Sequence, residues 1–446
     1  MRSGNTKTRE KDITVAFVSS YPPRQCGIAT FTRDLAQAVC KAPGIKDFKV
    51  VAINEPGGLH RYPREVIFRI DQGRPETYAE AAEFLNKQQI DVVSVQHEFG
   101  RFGVWDQYLR EDYLALFLDH IRKPVVTTLH TILPHPHPSV RAAIRNAADK
   151  SQAVVAMVKV GALMLVEDYG VPAEKIVYIP HGMPEIQPSG RRRLKAQLGV
   201  SDRTIILTFG LLSPGKGLEY VIQALPMIIK KHPDVLYLIV GETHPDLRRT
   251  LGESYRNQLQ KLAEDLGVSK HVAFVNHYLE QKEIVDYLLA ADVYVTPYLD
   301  RNQITSGTLT YALGSGKAIV STPYIHATEA LAEHRGILAE FRSAESLANA
   351  INYILDHPEE KAELERRAYE YGKEMAWPKV GRDFAILLRR VVEGKNPTYL
   401  TGDPFRLVRE EDVDEQKIAS EAISDANKAE EEGFEPSSEA STPETA

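Results

Sequence analysis

Residues 204–232 read TIILTFGLLSPGKGLEYVIQALPMIIKKH. An apolar, β-branched run (204–210) reaches the glycine turn GLLSPGKG (210–217), and an amphipathic pattern follows at 218–232. That order spells strand, tight turn and helix, the first half of a βαβ unit. The G-x-x-x-x-G-K spacing matches a triphosphate-binding loop up to its last position. Gly217 then stands where such a loop needs a Ser or Thr hydroxyl for magnesium, and Pro214 lacks an N–H for the phosphate cradle. The turn thus argues against triphosphate hydrolysis. It leaves Lys216 either as a cation able to take the charge of a departing diphosphate or as a solvated turn lysine.

The same alternation extends in both directions. Upstream, ITVAFVS (13–19), FKVVAI (48–53), DVVSVQ (91–96), PVVTTL (124–129), AVVAMV (153–158) and KIVYIP (175–180) read as strands, with helical patterns such as 30–41 and 79–88 between them. Downstream, VLYLIVG (235–241), HVAFV (271–275), VYVTPY (293–298) and KAIVSTP (317–323) continue the series that opens at 204, with helices at 218–232, 255–267 and 281–291. The expectation is α/β: two Rossmann-like domains with parallel sheets, at 13–184 and 194–377, joined by a connector at 185–193. A helix at 378–395 looks like a return to the first domain. Ligands of such sheets bind beyond the carboxyl ends of the strands, which places a site between the domains.

Composition bounds the chemistry. With 43% apolar and 26% charged residues, the 446-residue chain reads as soluble and globular. Two cysteines, Cys26 and Cys40, fit a reducing cytoplasm better than a disulfide framework. No apolar signal core or membrane-spanning run is visible. The net charge of −7 is uneven: residues 401–446 hold 14 acidic residues against 4 basic ones. That stretch is expected to be a disordered acidic tail, and residues 1–12 a flexible start. The slightly basic remainder suits a small anion. It lacks the dense basic stripe of a nucleic-acid binder. The RRR cluster at 191–193 reads as solvated linker.

Other candidate ligand groups lie at strand ends. Ser306-Gly307-Thr308 precedes a short helical stretch, where free N–H groups attract anions, although a plain N-cap is the simpler reading. Gly27 lies in another glycine turn, QCGIATFTRDLA (25–36). His97 and His130 end strands and could hydrogen-bond a polar ligand, while His135, His137 and His181 lie in nearby turns. Their spacing is not that of a metal site. GxGxxG is absent from both first turns, against a dinucleotide cofactor.

Seven segments together resemble the retaining, nucleotide-sugar-dependent glycosyltransferases of family 4, whose GT-B fold sets two Rossmann-like domains face to face. They are YPPRQCGIATFTRDLA (21–36), QHEFG (96–100), TTLHTIL (127–133), IPHG (179–182), FGLLSPGKGLEYVI (209–222), LLAADVYVTPY (288–298) and ALGSGKAIVSTPY (312–324). The resemblance runs from about Val15 to Val391 and implies hexosyl transfer from a nucleoside-diphosphate sugar to a carbohydrate acceptor, without a metal or other cofactor. It implies that Lys216 and His130 are catalytic, and that Gly27, Lys216, Ser306, Gly307 and Thr308 bind the donor phosphates. Leu211 replaces the family's phosphate-binding arginine, a bidentate geometry Lys216 cannot reproduce. Gln303 and Tyr311 occupy the two places of its E-x7-E pair, so with His97 they become the candidates for donor sugar and ribose. These departures motivate the alternative of a non-catalytic GT-B protein that binds a sugar nucleotide or scaffolds a partner.

Overall fold

A computed structural model describes residues 12–105 and 110–397. The expected flexible start, apart from Asp12, and the expected acidic tail lie outside them.

The first domain opens with β1 (Ile13–Ser19), α1 (Gly27–Cys40), β2 (Ile45–Asn54) and β3 (Val66–Asp71). It continues through α2 (Glu76–Asn86), β4 (Val92–His97), β5 (Gly103–Trp105), β6 (Arg110–Asp112) and α3 (Leu114–His120). It ends with β7 (Val125–Leu129), α4 (Pro138–Lys150), β8 (Ala153–Ala156), α5 (Lys159–Glu167) and β9 (Ile176–Tyr178). Seven parallel strands lie in the order β3-β2-β1-β4-β7-β8-β9, and β5 and β6 form a separate antiparallel hairpin. Strands of a parallel sheet covered on both faces are buried at every position, as β4 and β7 are, including their Ser94, Gln96, Thr127 and Thr128.

After α6 (Arg191–Gln197), the second domain begins with β10 (Thr204–Phe209), α7 (Leu218–Lys231), β11 (Val235–Val240), α8 (Pro245–Leu251) and α9 (Ser254–Asp265). Next come β12 (Val272–Val275), α10 (Gln281–Ala290), β13 (Val293–Thr296), α11 (Gly307–Gly314), β14 (Ala318–Ser321), α12 (Ile325–Ala330) and β15 (Ile337–Leu338). The chain then forms α13 (Ala344–Asp356), α14 (Pro358–Gly372) and α15 (Trp377–Val392). Six parallel strands lie in the order β12-β11-β10-β13-β14-β15.

The helix α15 returns to the first domain, where Val380, Phe384, Leu387, Leu388 and Val391 pack with Phe31, Leu35 and Val39 of α1 in one core. Each such fully buried side chain contributes roughly 1.5–3 kcal/mol. The two crossings between domains pair with each other: Met183 N donates to Met375 O at 2.9 Å, and Trp377 N to Met183 O at 2.8 Å. Gly182 permits this, because a Cβ there would lie 2.1 Å from the Trp377 ring.

Four strands escaped the sequence pattern. β3 is half-buried at a sheet edge, and β15 and the hairpin strands are two or three residues long. The RRR cluster departs from expectation in part, since Arg192 and Arg193 are exposed but the cluster is helical. It opens α6, and Arg191 forms ion pairs with Glu365 at 2.6 Å and Asp292 at 3.9 Å.

Candidate active site

The strand order in each sheet reverses beside its first strand: β1 pairs with β2 and β4, and β10 with β11 and β13. Loops that leave such neighbours in opposite directions open a crevice at their carboxyl ends. A cavity of about 590 Å3 lies between the two sets of loops. Gly27, His130, Lys216, Gln303, Gly307, Thr308 and Tyr311 all line it.

From the first domain, Cys26 caps α1 by accepting Ala29 N at 3.3 Å. A Cβ on Gly27 would meet nothing within 4 Å, so this helix start opens onto the cavity. His130 follows β7. Its Nε2 donates to Gln96 Oε1 at 3.2 Å, which leaves Nδ1 of the neutral ring as an acceptor. Burial, helped by His181 and His97, pushes its pKa down to about 3. His181 enters from the crossing segment. Its Nδ1 donates to Gly182 O at 2.7 Å, and burial lowers its pKa to about 4.

From the second domain, β10 ends at Phe209 and the chain turns through Gly210 to a 3-10 turn, Pro214–Lys216. Gly217 has φ +64°, and a Cβ there would lie 2.2 Å from Pro297 O. The left-handed turn and this close approach require glycine, which explains the missing Ser or Thr. Lys216 Nζ lies 3.7 Å from the centroid of the Tyr298 ring. Among the described residues no carboxylate pairs with it. Across the cavity floor, Ser306 caps α11, its Oγ accepting Leu309 N at 3.3 Å. The amides of Gly307 and Thr308 precede the first helical bond, Thr310 N to Ser306 O, and so lack a helical partner. His181 Nε2 would lie 3.0 Å from a Cβ on Gly307, so the two domains meet at this helix start.

Two expected site residues fall elsewhere. His97 does not line the cavity; its Nε2 meets Asp112 Oδ2 of β6 at 2.6 Å, and both side chains are buried. Burial opposes its charge, yet Asp112 and then Glu98 raise its pKa above the usual histidine value. Ser306 is also absent from the lining, because its hydroxyl serves the cap and Thr308 Oγ1 at 3.1 Å. Gln303 does reach the cavity, with its amide nitrogen held by Thr305 O at 2.5 Å. Tyr311 accepts a bond from Gln281 Nε2 at 3.1 Å, and Gln281 also reaches Asp34 Oδ2 at 3.2 Å, tying α10 to α1.

Sequence reasoning missed Glu98, Asp34 and Tyr278, all of which line the cavity. Glu98 accepts from Thr131 Oγ1 at 2.8 Å, and burial raises its pKa above the usual carboxylate value. Its position one residue beyond β4 was the available signal. Asp34 and Tyr278 offered none, since their place depends on how the domains meet.

The comparisons agree with this geometry. The family model described as Glycosyltransferase Family 4 matches residues 27–185, and that described as glycosyl transferases group 1 matches residues 190–375. A GDP-mannose-dependent alpha-(1-6)-phosphatidylinositol monomannoside mannosyltransferase of Mycolicibacterium smegmatis is 27% identical over 164 residues, 36% of this chain and 40% of that protein. The mannosylfructose-phosphate synthase of Agrobacterium fabrum is 27% identical over 175 residues, 38% of this chain and 37% of that protein. The chain thus spans less than half the length of either relative. The fold of Anabaena HepE, solved with UDP and glucose, superposes with TM-score 0.66 at 18% identity, covering 84% of this chain and 99% of that one. No helix among the described residues is long and apolar enough to cross a membrane. With the Glycosyltransferase Family 4 model on the first domain and the glycosyl transferases group 1 model on the second, the chain belongs to the family 4 glycosyltransferases and has the GT-B fold.

Proposed function

We propose that the protein is a retaining glycosyltransferase, moving a hexosyl group from a nucleoside-diphosphate sugar to a sugar or glycan acceptor. One observation carries this reading: an ammonium without a carboxylate partner among the described residues and two helix-start amides face the same cavity as the turn at Gly27. The arrangement suits a diphosphate between the domains, with Lys216, Gly307 and Thr308 taking the charge that develops as the sugar leaves. The relatives are in keeping with hexose donors, GDP-mannose in the name of one and UDP with glucose in the HepE structure.

The donor binds mainly to the second domain and the acceptor to the first. Gln303, whose side-chain oxygen is free of Thr305, and Tyr311 contact the sugar or ribose. His130 offers a hydrogen bond while staying neutral at pH 7, so it adds no positive charge beside an oxocarbenium-like sugar. The acceptor attacks on the face the diphosphate vacates, and the leaving phosphate takes its proton. Domain closure keeps water from the donor. No metal ion is needed, because the chain's own donors offset the leaving charge.

The test is diphosphate release from a panel of UDP- and GDP-linked hexoses, with and without EDTA, followed by the anomeric configuration of the product. Turnover with retention, unaffected by EDTA, is the expected result. Inversion refutes the stereochemical reading, and loss of rate in EDTA the metal-free one. Leu211 in the arginine's place and the engagement of the Tyr311 hydroxyl by Gln281 favour a second reading, a non-catalytic sugar-nucleotide binder. Binding without turnover across the whole panel would establish it.

A further inference from the structure

The connector and α14 bound a second cavity of about 320 Å3, lined by Gly190, Arg191, Lys317, Glu365, Arg366 and Tyr369 among others. It shares no lining residue with the cleft.

Its charges do not balance. Four cations gather around two carboxylates. Asp292 Oδ2 takes Lys195 Nζ at 2.5 Å and Ile205 N at 2.8 Å, and Oδ1 lies 3.9 Å from Arg191. Glu365 Oε1 is shared by Arg191 at 2.6 Å and Lys361. Lys317 is only 2% exposed, and its ammonium donates to a neutral carbonyl, Ala291 O, at 3.1 Å. Arg191 Nε is buried without a hydrogen-bond partner among the described residues. Arg366, at the rim, is already engaged by a fork to Glu363 at 2.7 and 2.8 Å. Burial first, and Arg191 after it, pushes the Lys317 pKa down to about 7 against the pull of Glu365 and Asp292.

A surplus of between one and two positive charges, set by the Lys317 proton, and an orphaned guanidinium N–H call for an anion, whose arrival would hold that proton on Lys317. A phosphate group alone would leave most of the space to water, whereas small-molecule sites begin at about 300 Å3. We propose that this cavity binds a small phosphomonoester, its phosphate held by Arg191 and Lys317 and its body filling the remainder. Pro188 and Ser189 of the crossing segment belong to the wall, and Tyr369 donates to Ile186 O at 3.3 Å. The ligand therefore lies against the connector that links the domains, outside the cleft.

The test is calorimetric titration of the full chain with glucose 6-phosphate and, separately, with inorganic phosphate, alongside hydrogen exchange. The expected result is that glucose 6-phosphate binds more tightly than inorganic phosphate and protects residues 186–192 and 362–369. Arg191→Gln and Lys317→Met should each weaken binding by about tenfold or more, while Lys216→Ala leaves it unchanged. Arg191 is partly exposed, so Arg191→Gln remains informative if Lys317→Met fails to fold. Binding abolished by Lys216→Ala but kept in Arg191→Gln would assign the ligand to the cleft and overturn the proposal. Equal affinity for the two probes overturns the phosphomonoester claim. Absence of heat and protection at about 10 mM overturns the site itself.

Discussion

The Lys216 ammonium lies 3.7 Å from the centroid of the Tyr298 ring, and the Tyr298 hydroxyl meets Thr308 Oγ1 at 2.8 Å. One aromatic side chain thus holds the turn after β10 against the start of α11. The ring face steadies the cation without neutralising it, as a carboxylate would. Lys216→Ala should lower kcat by about 10²–10³-fold, the usual cost of removing one donor to a developing anion. The melting temperature should stay within roughly 2 °C, since no ion pair is lost and the contact with the Tyr298 ring contributes only about 0.5–1 kcal/mol. Tyr298→Phe keeps the ring and loses the tie to Thr308, so its kcat should fall by about tenfold or less. Steady-state diphosphate release together with thermal melts checks both, and an unchanged rate in Lys216→Ala removes Lys216 from the chemistry.

Two glycines separate stability from activity. A Cβ on Gly182 would lie 2.1 Å from the Trp377 ring, which is confined by Phe31 at 5.5 Å between centroids. Gly182→Ala should cost about 1–3 kcal/mol or more through overpacking. A Cβ on Gly27 meets nothing, so Gly27→Ala should melt as the parent does while its methyl intrudes on the cleft and raises KM. Denaturant melts and kinetics on the pair decide the matter. Equal stability loss in both refutes the distinction.

The βαβ rhythm was legible because buried parallel strands are largely apolar: β1, β10 and β11 fall where their runs predict. β3 and β15 were not, since edge strands need fewer apolar residues and β15 has only two. Within the site, turns that follow strands were legible as glycine and lysine positions. Which side chain of a strand end faces the cleft was not. His97 and Glu98 are adjacent, and the histidine turns to Asp112 while the glutamate lines the cavity. Asp112 lies in a hairpin that no periodicity announced. Likewise, Ser306 has the composition of a phosphate ligand and of a cap, and only the bond to Leu309 N separates the two.

Buried histidines make acid stability a further readout. Burial holds the pKa of His130 and His326 at about 3 and of His181 at about 4, against 6.5 when unfolded. With folded values depressed, their contribution is complete above pH 6.5 and is lost as pH falls towards 3, because the unfolded chain binds protons the native state refuses. Stability should therefore decline from pH 6.5 to 4 with a slope approaching three protons, in addition to any carboxylate effect. His326→Asn keeps an acceptor for Ser306 N, now bonded to Nδ1 at 2.8 Å, and should reduce that slope by about one proton. Urea melts at half-unit pH steps measure it, and an unaltered slope shows that the ring is already protonated in the native state.

Glu98 reverses the sign. Its pKa is raised by burial, against the opposing pull of Thr131, His97 and Arg101. A raised carboxyl contributes stability below its unfolded value, and that contribution is lost as pH rises through the folded one. Glu98→Gln preserves an oxygen to accept from Thr131 and removes the buried charge. It should leave the melting temperature unchanged near pH 4 and raise it by roughly 2 °C at pH 8. Because Glu98 belongs to the first-domain wall, where the acceptor is proposed to bind, the same change should slow transfer to acceptor more than hydrolysis of donor by water. A variant that stabilises equally at both pH values would show that the glutamate titrates alike in the folded and unfolded chain. One that slows transfer and hydrolysis alike would take Glu98 away from the acceptor.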